Sequence, residues 1–339
     1  MTLFFAARAG TFLTIEEMLA ELDGGLTKYV GNPVLAKGAG GTWDDYTVRE
    51  LAPVIDEDGL VVTESDGIWA YYWGQDQADP GATLQIGLAK SVDGGTTWTK
   101  YGSNPLIVPG GASWYNTDVF QPATVKLDDG TRVMMAGGRN GAASTDSLGV
   151  LSSADGLTWA DEGQKLTLGQ FHETGTAMLE MGVPTMIKIA DGTWLALFEC
   201  LKDPGTAGLW RIFGATATDP TGTWTPLNSG EPLMGPTGVG WESVGVANPH
   251  VIEVTPGQYA MTYNGFQTKW QVGFAYTSTL TSWTRYSGNP ILTTGAALQW
   301  DDGQVESCFL FKEPGSSLRI LYHGFLASDG TAQVGLATS

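Results

Sequence analysis

Positive charge is scarce in this chain. It carries 17 Lys and Arg against 36 Asp and Glu, a formal charge of −19 over 339 residues. A surface of that sign repels phosphate backbones and anionic membranes, which argues against nucleic-acid and membrane partners and suits neutral ligands. Cysteine is nearly absent. Cys200 and Cys308 are the only two, too few for a disulfide framework, and no bond between them is expected. No apolar run approaches the ~18 residues of a membrane-spanning helix. Residues 1–10 lack a basic segment followed by a long apolar one, so no signal peptide is expected and the compartment stays open. Charged residues make up only 16%, and charge-rich helical blocks are missing, which argues against a helical bundle. Phosphate-loop, zinc-ligand and dinucleotide signatures are absent. So is Gly-Xaa-Ser-Xaa-Gly, which argues against a serine hydrolase.

What is abundant is glycine, 47 residues, and tryptophan, 13. That composition favours many short strands joined by tight turns. One phrase recurs: Gly-apolar-Ala, a polar pair, an Asp-Gly turn, then Trp-Thr. It runs from Gly87-Leu88-Ala89 through Asp93-Gly94 to Trp98-Thr99, and from Gly149-Val150-Leu151 through Asp155-Gly156 to Trp159. Looser copies run from Gly214-Ala215 to Trp224-Thr225 and from Gly273-Phe274-Ala275 to Trp283-Thr284. The closing tryptophans are 61, 65 and 59 residues apart. Each unit opens on an apolar strand with a proline, as in Gln121-Pro122, Val183-Pro184 and Asn248-Pro249. Four strands per ~60 residues, repeated, is the pattern of a β-propeller blade.

The last unit ends at Val334-Gly335-Leu336-Ala337, a third strand, so its fourth is missing. Residues 26–35, with Thr27-Lys28-Tyr29 and Asn32-Pro33, repeat Thr99-Lys100-Tyr101 with Asn104-Pro105, and Thr284-Arg285-Tyr286 with Asn289-Pro290. The reading is an all-β, single five-bladed propeller over residues 26–339. Its blades are 36–107, 108–168, 169–234, 235–292, and 293–339 with 26–35, the N-terminal strand closing the last and removing open edges. Residues 1–25 form a leader. Its stretch 14–22 predicts a short helix, with Thr14 and Glu17 as a capping box and Ile15, Met18, Leu19 and Leu22 on one face. That face packs under the propeller or docks on a partner.

Ser91-Val92-Asp93-Gly94-Gly95-Thr96-Thr97-Trp98 resembles a sialidase-type Asp box, a structural turn. With five units and Gly-Asn-Pro endings, the chain resembles the five-bladed propeller glycosidase superfamily, which includes arabinanases, β-xylosidases, invertase-like fructosidases and mannoside phosphorylases. Leu321-Tyr322-His323-Gly324 is similar to a Tyr-His-Gly phrase of the phosphorylases, and Phe198-Glu199-Cys200 to the Glu-Cys acid motif of the invertase-like enzymes. The resemblance implies glycoside hydrolysis by two carboxylates, one protonating the leaving oxygen and the other activating water or attacking the sugar. In these families the acids project into an axial funnel beside the recurring proline. Here Ala52, Gln121 and Val183 precede Pro53, Pro122 and Pro184, and Gly245-Val246-Ala247-Asn248-Pro249-His250 is similar to the phosphorylase Gly-Val-Glu-Asp-Pro-Arg phrase with both acids replaced.

Other acids stand on the first strands. Asp118 and Glu180 lie four residues before their prolines, Glu306 precedes Ser307, and Glu50 lies three before Pro53. A second set at the ends of the second strands reads Trp73, Gly137, Glu199, Asn264 and His323, and equivalent repeat positions face the same way. We expect Glu180 or Glu199 as acid and Asp118 or Glu306 as base or pKa modulator. His323, Arg139 and Asn264 would orient hydroxyls, and Arg49, Trp73, Gln121, Trp241 and Asn248 would add substrate contacts. No cofactor is required. Acids from five blades could hold a structural calcium ion through oxygen ligands, although no EF-hand-like spacing is present. The alternative is a non-catalytic glycan- or receptor-binding propeller of a phage tail or other surface assembly, with residues 1–25 docked on a protein partner.

Overall fold

The computed structural model describes residues 14–77, 82–110, 114–141, 146–202, 210–311 and 317–339. Residues 1–13 of the expected leader lie outside the described residues. The recurring phrase forms a strand each time it appears: Gln85–Ser91, Ser147–Ser153, Trp210–Ala217, Trp270–Thr277 and Ala332–Thr338. The proline-bearing segments form the strands before them, Thr47–Pro53, Asp118–Lys126, Glu180–Lys188 and Gly245–Thr255, with Gln304–Phe311 as their counterpart near the C-terminus. Between the two lie the second strands, such as Trp194–Leu201, buried along nearly their whole length. An apolar run covered on both faces reads this way, without alternation.

Pairing between consecutive strands of each repeat unit follows chain order and is antiparallel. Glu180–Lys188, Trp194–Leu201, Trp210–Ala217 and Thr225–Pro226 form one four-stranded sheet, and the strands from Gly245–Thr255 to Thr284–Arg285 form another. Asp118–Lys126 leads a third, joined in parallel by Ile55–Asp56. The Thr47–Pro53 and Gln304–Phe311 groups are linked by a single parallel pair, Thr47 with Ala332. The outermost strands are polar and mostly short, Thr99–Lys100 and Thr284–Arg285 being two residues each, which blunts exposed edges.

Glycines on the second and third strands make room for tryptophan. A Cβ on Gly265 or Gly273 would lie 2.3 and 2.6 Å from the Trp241 ring. Trp43, Trp114 and Trp300 press on Gly74 and Gly87, Gly138 and Gly149, and Gly324 and Gly335 in the same way. The acid after three of these tryptophans anchors a second repeated contact. The Tyr72, Tyr263 and Tyr322 hydroxyls donate to Asp44, Glu242 and Asp301 at 2.9, 2.9 and 3.0 Å. Lys100, Arg285 and Lys28 pair with the same acids at 2.6, 2.7 and 2.6 Å.

The N-terminal strand takes part in this scheme. Thr27 and Lys28 pair antiparallel with Thr338 and Ala337. Asn32 accepts from Leu336 N at 2.8 Å and donates to Leu336 O at 2.9 Å, as Asn104 does with Leu88 and Asn289 with Phe274. Before it, the helix Ile15–Asp23 carries the Thr14–Glu17 capping box. Its face of Ile15, Met18 and Leu22 packs on Val254, Leu310, Leu318 and Ile320 of the same chain. Glu21 accepts from Leu318 N at 2.8 Å and Ser339 Oγ at 2.7 Å. The apolar side chains of this face are buried within the molecule, in keeping with the first of the two readings of the helix. Cys200 and Cys308 are free and buried.

Candidate functional site

The pairing between first and second strands slips by one residue at the same place each time. The slips fall between Arg49 and Ala52, Phe120 and Ala123, Gly182 and Thr185, Ala247 and His250, and Glu306 and Phe309. Each is a β-bulge with one extra residue. The residue at the slip has a positive φ: Glu50 at 50°, Gln121 at 57°, Val183 at 45°, Asn248 at 49° and Ser307 at 44°. Non-glycine side chains rarely adopt this conformation, and a β-branched one such as Val183 least of all. All of these residues border one narrow space of ≈ 50 Å³. The bulge, rather than the proline, marks the repeat. It sets Leu51 where Pro122, Pro184 and Pro249 stand, so the residue before that position is Glu50. Aligning the first unit on Pro53 hid a carboxylate at the place where the resemblance implies one.

On the other side of the bulges opens a larger cavity of ≈ 500 Å³. The residues just before the slips, Arg49, Phe120, Gly182, Ala247 and Glu306, all line it. So do Glu50, Glu180 and Glu199, with Trp73, Gln121, Arg139 and Asn248. Glu50 forms part of the partition between the two spaces. Trp73 Nε1 donates to its Oε2, and Ser307 Oγ donates to its Oε1 at 3.0 Å. Burial pushes the Glu50 carboxyl up to about 7, against the pull of the Trp73 hydrogen bond and the Arg49 charge. Burial also drives Glu199 well above the carboxylate range, and the negative fields of Glu50, Glu306 and Glu180 add to it. Glu180 lines the wall with no hydrogen-bond or ion-pair partner among the described residues. Arg49 lies over the Trp73 ring at 4.9 Å and the Phe325 ring at 4.4 Å, two cation–π contacts that hold its guanidinium at the wall.

Eight expected site residues therefore meet at this cavity: Arg49, Trp73, Gln121, Arg139, Glu180, Glu199, Asn248 and Glu306. Four do not line it. Asp118 is spent on Leu84 N at 3.0 Å and Arg139 Nη1 at 3.3 Å. Trp241 covers Gly265 and Gly273 and packs on Tyr263 at 5.8 Å. Asn264 is fully buried and satisfied by Gln271 O, Val305 O and Ser307 N. His323 lies behind Glu306, 3.6 Å from its Oε2, and burial lowers its pKa against the Glu306 contact. Sequence reasoning noted Glu50 without giving it a role, and missed Asp146, Trp210 and Trp270, which also line the cavity. Asp146 holds Arg139 Nε at 3.1 Å, and burial raises it to about 6 against the Arg139 charge. The signal for the two tryptophans was their equal spacing, five residues, ahead of Ala215 and Ala275 in the recurring third-strand phrase. Among the described residues, no group of three or more His, Cys, Asp or Glu side chains is placed to hold a metal ion.

The model of the glycosyl hydrolases family 32 N-terminal domain matches residues 55–205. Solved structures match across nearly the whole chain. A glycosyl hydrolase from Bacteroides ovatus is 18% identical, covering 92% of this chain and 93% of its own, with a TM-score of 0.66. The chain has the propeller-type fold of the glycoside hydrolases. A structure from the GH130 family of mannoside phosphorylases, a family containing glycoside hydrolases that target β-1,2 mannosidic linkages in Candida mannan, is 16% identical over 92% and 93%, with a TM-score of 0.67. A thermostable family-43 glycoside hydrolase is 17% identical over 90% and 91%, with a TM-score of 0.58. No curated protein matches this chain. In this propeller-type chain the all-β architecture carries one α-helix among the described residues.

Proposed function

We propose that this chain is a five-bladed propeller, closed by residues 26–35, that binds a neutral glycan in the ≈ 500 Å³ cavity and cleaves a glycosidic bond. The repeated bulges and the equivalent contacts of Asn32, Asn104 and Asn289 support five blades and the closure. The observation that carries the chemistry is Glu50. It sits at a bulge facing the cavity, its carboxyl is raised to about 7, and the charge of Glu306 acts on it. A carboxylic acid that keeps its proton near neutral pH can protonate the leaving oxygen. Glu306 supplies the second carboxylate, which activates water or attacks the sugar. Glu180 and Asn248 contact hydroxyls, and Arg139, fixed by Asp118 and Asp146, orients them.

The test is reducing-sugar release from arabinan, xylan, fructan and mannan oligosaccharides by wild type, Glu50→Gln and Glu306→Gln. Loss of the acid is expected to cost roughly 10²–10⁴-fold in kcat. The wild-type rate should fall as pH rises through about 7, because the donor must be protonated. Full activity in Glu50→Gln refutes the assignment. A non-catalytic glycan-binding reading is favoured by one feature: only Glu50 among the five bulge residues is acidic. Binding without release on every sugar of the panel would select that reading.

A further inference from the structure

The third strands begin with a set of equivalent residues, of which the proposed chemistry uses only Asp146. Ile86, Leu148, Ile212, Val272 and Val334 pair with Trp73, Gly137, Glu199, Asn264 and His323. Two residues earlier stand Leu84, Asp146, Trp210, Trp270 and Ala332. All of these except Ala332 line the ≈ 500 Å³ cavity, and consecutive sheets carry the two tryptophans. Both are half-buried, and neither indole N–H meets an acceptor among the described residues. Other tryptophans serve the fold. Trp98, Trp114, Trp224 and Trp283 donate to Gly95 O, Asp161, Pro220 O and Leu280 O, and Trp73 donates to Glu50. Trp270 is also held in place. Its ring lies 4.9 Å from that of Phe266, and the neighbouring Lys269 donates to Asp302 O at 2.5 Å.

We infer that Trp210 and Trp270 form an aromatic platform for sugar units beyond the one cleaved, so that the ligand is an extended neutral oligosaccharide rather than a single glycoside. This rests on the glycan reading above. The apolar C–H face of a sugar ring loses water on an indole, while an indole N–H with no acceptor among the described residues can donate to a hydroxyl at the ring edge. Glu180, on the same wall and without a hydrogen-bond or ion-pair partner among the described residues, accepts from hydroxyls. Glu180 and Glu306 on the cavity wall and the net charge of −19 disfavour anionic sugars.

The test measures binding of manno-, xylo-, arabino- and fructo-oligosaccharides of one to five units by calorimetry. It uses Glu50→Gln, which slows turnover, alone and combined with Trp210→Ala, Trp270→Ala or the corresponding Phe changes. For the series that binds, affinity should rise with length. Each Ala change should reduce binding of the longer members roughly tenfold, with the smallest loss for the monosaccharide, and Phe should restore most of it. An equal loss at every length, or no loss at any length, overturns the platform while leaving the glycan reading intact. No binding of any series to wild type or Glu50→Gln overturns both.

Discussion

At the scale of single residues, Glu199 and Asn264 do one job with different chemistry. Glu199 Oε2 accepts from Asn248 N at 2.7 Å, and Asn264 Oδ1 accepts from Ser307 N at 2.7 Å. Each satisfies the amide of a strained bulge residue on the next sheet. Gly137, at the equivalent place, has no side chain to do so, and Gln121 Oε1 reaches Val183 N at 2.7 Å instead. A buried amide left without an acceptor costs ~1–3 kcal/mol. Glu199→Ala should therefore destabilise the protein by about that amount, while Glu199→Gln, whose amide oxygen can still accept, should stay close to wild type. Burial raises this carboxyl well above the carboxylate range and so favours its neutral form, which a neutral isostere mimics. Urea unfolding midpoints check both. A Gln variant as unstable as Ala would mean that the Glu199 charge itself is needed.

At the scale of elements, the N-terminal strand holds its place by side chains as well as by its backbone. Thr27 pairs with Thr338 and Lys28 with Ala337, and Tyr29 N donates to Leu336 O and Val34 N to Val334 O, each at 2.8 Å. Asn32 adds a reciprocal pair of hydrogen bonds to Leu336, and Lys28 binds the buried Asp301. Asn32→Ala removes both hydrogen bonds at a half-buried position and should cost about 2 kcal/mol. It should also raise amide exchange selectively in Ala332–Thr338, which a global loss of stability would not do. The origin of this element was legible because Asn, Lys and Tyr recur at fixed spacing. The register of the first strands was not legible in the first unit. A bulge is a backbone conformation that Glu, Gln, Val, Asn and Ser all adopt here, so no residue type marks it. Proline marks it in three units, but Leu51 and Cys308 replace proline in the other two. That is why Glu50, counted back from Pro53 rather than from Leu51, was given no role.

At the scale of the whole molecule, the carboxylates fall into two populations whose pH responses oppose each other. Those in turns lie low: the backbone N–H groups of Thr158 and Leu157 hold Asp155 at about 2. Such groups contribute stability above the ordinary aspartate value, and that contribution is lost as pH falls towards 2. Glu50, Asp146 and Glu199 at the cavity do the reverse. Glu50 has a folded-state value of about 7, above the 4.5 of an unperturbed glutamate. Between those values the folded chain keeps a proton that the unfolded chain has released. Stability therefore falls as pH rises through this window and levels off above 7, a span worth roughly 3 kcal/mol. Glu199, raised for the same reason, adds to the trend. The two populations together place the stability maximum near pH 5, and Glu50→Gln should remove much of the decline on its alkaline side. Urea midpoints at pH 5 and pH 8 measure this directly. A decline of equal size in wild type and Glu50→Gln would show that the buried charge opposing the fold lies elsewhere than at the cavity floor.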